Sequence, residues 1–110
     1  MARAVTLSEI KAAEAARRQR AVAAMKPDLA AYARAHGGRF WLFGSAARGT
    51  MRYHSDVDIL VDFAEDQEAD VWNFVERVCH DRGLTPDVMR RSWAKQAFLD
   101  HITADAEIIA

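Results

Sequence analysis

Residues 44–63 read GSAARGTMRYHSDVDILVDF, and the reading of this stretch decides the fold. Its second half alternates, with Val57, Ile59, Val61 and Phe63 on one side of an extended chain and Asp56, Asp58, Leu60 and Asp62 on the other. That period of two marks a half-buried strand over Asp56 to Phe63. Strands are poor in aspartate, so Asp56 and Asp58 at the start of this one need a chemical reason. Carboxylates at i and i+2 point the same way with Cα atoms about 6.5 Å apart, and repel by about 2 to 3 kcal/mol at an effective dielectric near 20. A positive partner between them relieves this. Spacing alone leaves two choices open: a divalent cation such as Mg²⁺, typically held by one or two carboxylates together with phosphates and water, or the nearby side chains of Arg48 and Arg52.

Just upstream, Phe40 to Phe43 reads as a short buried strand that ends at Gly44, and SAARG suits a single helical turn before a loop over 50–55. A strand that ends in Gly44-Ser45 and leads into a helical turn offers backbone N–H groups and a hydroxyl to an anionic oxygen, phosphate being the natural guest. The same two residues also make an ordinary capped turn, with Ser45 satisfying a free backbone donor. Gly44 and Gly49 have the glycine gap of a Walker A loop, but Thr50 and Met51 stand where lysine and a hydroxyl residue are required. FGSAA likewise lacks the second glycine of a G-x-S-x-G nucleophile turn.

Further out, Thr6 and Glu9 have the spacing of a capping box, and strong helix formers continue to Pro27. This predicts a helix from Leu7 to Met25 with sparse apolar positions (Leu7, Ile10, Ala13, Val22, Met25) and with Arg17, Arg18 and Arg20 facing solvent or a partner. Pro27 can open a second helix through Ala35, stopped by Gly37 and Gly38. Val71, Phe74, Val75 and Val78 repeat at helical spacing within Ala69 to Arg82, and Gly83 ends that run. Leu84 to Met89 is a third strand, with Pro86 inside it suggesting an edge or an irregular start. Ser92 can cap a last helix carrying Ala97, Phe98 and Ile102, followed by a short apolar tail. These elements predict an α/β (α+β) domain: a small mixed sheet of three or more strands, with helices mainly on one face.

The chain has 110 residues, 51% of them hydrophobic, enough for one domain with its own core. It divides into N-terminal helices over 1–36, a core over 40–89, and a C-terminal helix and tail over 92–110. A net charge of -1 gives no global positive field for nucleic acid. Neither a membrane span nor a secretory signal is apparent, so the cytoplasm is expected. Cys79, the one cysteine, reads as a half-buried helix position. His36, His54, His80 and His101 lack the paired spacing of a zinc site and read as surface or helix-end residues, His54 being nearest the aspartates. Trp41, Trp72 and Trp93 read as core positions, with base stacking as the alternative.

Taken together, Gly44 through Val61 resembles the signature of the minimal nucleotidyltransferases in the DNA polymerase β superfamily, GSxxRGxxxxxSDxDLxV. Every fixed position matches except Ile59, where leucine is usual. The resemblance covers about Phe40 to Met89 and is weak outside it. It implies a polymerase-β-like palm fold in which Gly44 and Ser45 grip the terminal phosphates of a nucleoside triphosphate. Asp56 and Asp58 would hold two Mg²⁺ ions, and Arg48 and Arg52 are candidate phosphate contacts, with surface charge or ion pairing to the aspartates as their alternative. The family's third carboxylate, which ligates the metal near the acceptor and takes its proton, is assigned to Asp87. Of the later aspartates it alone falls in a strand-like run, although Pro86 departs from the usual apolar residue before it.

The implied reaction is transfer of a nucleoside monophosphate, AMP from ATP, to an acceptor hydroxyl. About 20 residues follow the third strand, so the acceptor is expected to be docked by a partner or by a second copy. The pattern resembles small bacterial proteins paired with a helical HEPN ribonuclease toxin, in which the nucleotidyltransferase acts as antitoxin by adding AMP to the toxin. Two other readings stand beside it: a binding module that neutralises its partner by contact through the arginine-bearing first helix, and a small-molecule adenylyltransferase. Direct nucleic-acid or membrane binding is not expected, and a homo-oligomer through the first helix is open.

Overall fold

A computed structural model describes residues 4–110. It is an α+β domain whose four strands run in the order β3-β2-β1-β4. The elements are α1 (Leu7–His36), β1 (Arg39–Phe43), α2 (Gly44–Arg48), β2 (Val57–Asp62), α3 (Glu68–Asp81), β3 (Pro86–Arg90), α4 (Gln96–Thr103) and β4 (Glu107–Ile109). β1 runs antiparallel to both β2 and β4, while β2 and β3 are parallel. The mixed sheet and the edge position of β3 are as the sequence predicts, but β3 starts at Pro86, two residues later than the predicted Leu84, and runs to Arg90. The apolar tail supplies the fourth strand, with Ile109 buried opposite Phe40.

Strand alternation sorts the core into two layers. Phe40, Leu42, Val57, Ile59 and Val61 face α1 and α3, where they meet Val22, Met25, Leu29, Val71 and Val75. On the reverse face, Leu60 packs with Leu99 and Ile102 of α4, flanked by Trp41, Phe43 and Met89. The second face is therefore covered by one short helix, and Leu60, which shares a side with the aspartates, is fully buried there.

Several expectations are corrected. Residues 7–36 form one 30-residue helix rather than two. Pro27 and Ala23, whose carbonyl it leaves without a helical donor, lie on the exposed side. Val22, Met25, Leu29 and Ala33, all fully buried, hold one continuous stripe against the sheet across the proline, and that burial outweighs the propensity cost. Ser92 does not cap α4; it sits in a short 3-10 turn over 91–93, its hydroxyl donating to Glu68 Oε2 at 3.0 Å. Trp93 is not a core residue, being 72% exposed. Cys79 is fully rather than half buried, and burial pushes its thiol up to about 11. Asp56 falls one residue before β2.

Arg20 is exposed as expected, but Arg17 and Arg18 of α1 do not simply face solvent. Arg17 donates to the carbonyls of Arg82 and Gly83 at 3.0 and 2.8 Å, and Arg18 to the Ser55 carbonyl at 2.7 Å, while both pair with Glu14. Gln19 adds bonds to the Ala46 carbonyl and the Met51 amide. One turn of α1 thus fastens α2, the 50–56 loop and the approach to β3. No helix among the described residues is long and apolar enough to cross a membrane.

Candidate active site

Strand register assembles the site. Phe43 on β1 lies opposite Asp58 on β2, and Asp58 is aligned with Asp87 on β3, so the three form a row across one end of the sheet. Alternation directs this row to the face of Leu60 and Met89, the face that α4 covers. Asp56, two residues before Asp58, joins the row from the rim and is exposed.

The electrostatics of the row centre on Asp58. Its carboxyl is pushed up to about 6, first because it is partly desolvated, then because the Asp87 carboxylate lies beside it within hydrogen-bonding reach. The charge of Asp56 raises it further, and only Arg48 opposes. Three carboxylates therefore converge with too little positive charge among the described residues to neutralise them. Neither Arg48 nor Arg52 pairs with them: Arg48 Nη1 meets Asp105 Oδ2 at 3.4 Å, while Arg52 is exposed and bonds Ser55 through its backbone.

Gly44 is held close to Asp58. It takes φ 66°, and a Cβ built on it would collide with Asp58 Oδ2. Only glycine combines that left-handed conformation with such close approach. Ser45 follows in the first turn of α2, and its carbonyl accepts the amides of Gly49 and Thr50 that close the turn. An open cleft of about 260 Å³ lies here, lined by Phe43, Gly44, Arg48, Asp58, Phe98 and His101, with Ile102 and Asp105 completing the wall; Ser45, Asp56 and Asp87 do not line it.

Gly44, Arg48 and Asp58 thus line the cleft, with Asp56 and Asp87 acting on Asp58 from beside it. The Arg52 side chain does not line it, and His54 lies tilted against the Tyr53 ring in the loop, their centroids 4.5 Å apart. The sequence reading missed the α4 wall, including His101, which it took for a plain surface or helix-end residue. The signal lay in Phe98, His101 and Ile102, spaced i, i+3, i+4 on one helix face, but nothing local says which strand that face meets.

Among the described residues no group of three or more His, Cys, Asp or Glu side chains is placed to hold a metal ion, so Asp56, Asp58 and Asp87 do not together form one as they stand. The donor chemistry nevertheless fits a hard dication. Asp58 and Asp87 supply adjacent carboxylate oxygens, and Mg²⁺ binds through one or two such groups while substrate phosphates and water complete its shell.

Residues 22–108 match the family model described as nucleotidyltransferase domain. No curated protein and no solved structure matches the chain.

Proposed function

The chain belongs to the nucleotidyltransferase domain family, and on that footing we propose that it transfers AMP from ATP to a hydroxyl of a partner protein, as the antitoxin of a HEPN-type helical toxin. The observation that carries the reading is the under-neutralised row of Asp56, Asp58 and Asp87 beside a glycine-tight turn. A protein with no use for a cation and a polyphosphate gains nothing from crowding Asp58 with two further carboxylates.

In this reading the Gly44 backbone and the Ser45 hydroxyl receive the terminal phosphates, and Arg48 exchanges Asp105 for a phosphate oxygen. Asp56, Asp58 and Asp87 are the side chains that would hold two Mg²⁺ ions. Such ions, when bound, neutralise triphosphate charge and lower the pKa of a coordinated hydroxyl. Asp87, at the sheet edge, takes the acceptor proton as the acceptor oxygen bonds to the α-phosphorus and the bond to the β-phosphate oxygen breaks, releasing pyrophosphate. Positioning and charge neutralisation do most of this work.

Contact-only neutralisation through the α1 arginines is less well supported, because Arg17 and Arg18 are committed to Glu14 and to backbone carbonyls. The test is labelling: with radiolabelled ATP and Mg²⁺, the wild type labels a co-purified HEPN-type partner, while Asp58→Asn binds that partner and leaves it unlabelled. Labelling that survives Asp58→Asn and Asp87→Asn would remove the carboxylate row from the mechanism.

A further inference from the structure

The opposite end of β3 carries a second constellation, on the other face of the sheet from Asp87. Arg90 closes the strand with its guanidinium carbon 4.2 Å over the Trp93 ring and 5.7 Å from that of Trp72 on α3. Its Nε is buried without a hydrogen-bond partner. Beside it lies an open cleft of about 240 Å³ lined by Ala69, Trp72, Asn73 and Arg90. Trp93 is held in place by its neighbour, since the bond from Ser92 to Glu68 pins the 91–93 turn to the start of α3. The outcome is a fixed tryptophan, 72% exposed, lying against an arginine.

Three basic side chains gather at this patch. Arg17, Arg18, Lys26, Arg48 and Arg82 each have a carboxylate partner. Among the described residues Arg90, Arg91 and Lys95 have none, a state they share with Lys11, Arg20, Arg34, Arg39, Arg52 and Arg77, but these three flank one exposed tryptophan. Exposed tryptophan and arginine set together are the side chains that most often dominate binding at protein interfaces. β3 is also an edge strand, so its outer side is not paired within the sheet.

We propose that Trp72, Arg90 and Trp93 form a docking platform for an acidic segment of a partner protein, which sets a carboxylate on the Arg90 guanidinium and an apolar side chain on Trp93. A planar guanidinium stacked on indole still offers its N–H edge for bidentate contact with a carboxylate. Single-stranded nucleic acid, which also favours aromatics beside cations, fits less well. Its phosphate chain would run along the exposed Glu65, Asp66 and Asp70, which lead into the α3 side of the platform. A protein segment needs only one negative charge at the arginine. The surface is separate from the transfer reaction and stands whether or not the carboxylate row is catalytic.

The test is selection from a random-peptide display library on the full chain, followed by fluorescence anisotropy with the recovered peptides. They are expected to carry Asp or Glu next to an apolar residue. Trp93→Ser and Arg90→Gln, with melting curves like the wild type, should each weaken them about tenfold or more, as should changing the peptide's acid to its amide. If Arg90→Gln does not fold, Trp93→Ser and the amide peptide decide alone. Failure to recover acidic peptides, or full affinity in Trp93→Ser, overturns the proposal. So does tight binding of oligo-dT that both variants abolish, which would make the platform a nucleic-acid site.

Discussion

Neutralising Asp58 should make the protein more stable while disabling the chemistry proposed for it. The folded carboxyl is raised from 3.8 to about 6 by partial burial and by Asp87 and Asp56. A shift of about two pKa units corresponds to about 3 kcal/mol; Asp58 is only half-buried, and solvent screening reduces this to about 1 to 2 kcal/mol. Because the folded carboxyl holds its proton to higher pH than the unfolded one, the penalty is absent below about pH 4 and complete above about pH 6. Metal-free wild-type protein should therefore lose stability as pH rises through that window. Asp58→Asn should lack that loss and melt about 4 to 8 °C higher at pH 7.5. Thermal and urea denaturation in EDTA between pH 4 and 8 reads both quantities. An Asn variant that is less stable than the wild type at pH 7.5, or that keeps the same pH slope, would refute the crowding of charge at this position.

Three further outcomes follow from the same geometry. Gly44→Ala meets both a left-handed φ and the Asp58 carboxylate, and should cost at least about 2 kcal/mol in urea denaturation; a midpoint equal to the wild type would contradict the close approach. Arg18→Ala removes the 2.7 Å bond to the Ser55 carbonyl, so hydrogen exchange at residues 51–56 should accelerate selectively, whereas unchanged protection would show that α1 does not hold this loop. Cys79, buried and with its thiol pushed up to about 11, should react with an aromatic disulfide reagent only at the rate of opening or unfolding; immediate stoichiometric reaction would place it at the surface.

Much of the architecture was legible in residues 40–89. Alternation from Val57 to Val61 and the glycine stop at Gly83 report local geometry directly, and Asp87 was placed in a strand that does align with Asp58. What failed depended on distant partners. Pro27 looked like a boundary because propensity is local, but the stripe from Val22 to Ala33 is held by a sheet formed from residues that come later in the chain. Arg17 and Arg18 looked solvated because the carbonyls they bond lie 37 or more positions away. Trp93 looked like core by residue type, whereas the 91–93 turn sets it outward against Arg90. His101 entered the cleft wall only because α4 folds across the face that carries Asp58.

The central claim is that the carboxylate row and the Gly44-Ser45 turn together receive a dication and a triphosphate. Paramagnetic broadening by Mn²⁺ tests it most directly, using isotope-labelled protein with a non-hydrolysable ATP analogue. The account predicts that substoichiometric Mn²⁺ erases amide signals around Gly44, Ser45, Asp56, Asp58 and Asp87 in the wild type, and leaves them intact in Asp58→Asn. Broadening centred elsewhere, or none at that end of the sheet with the analogue at saturation, would contradict it.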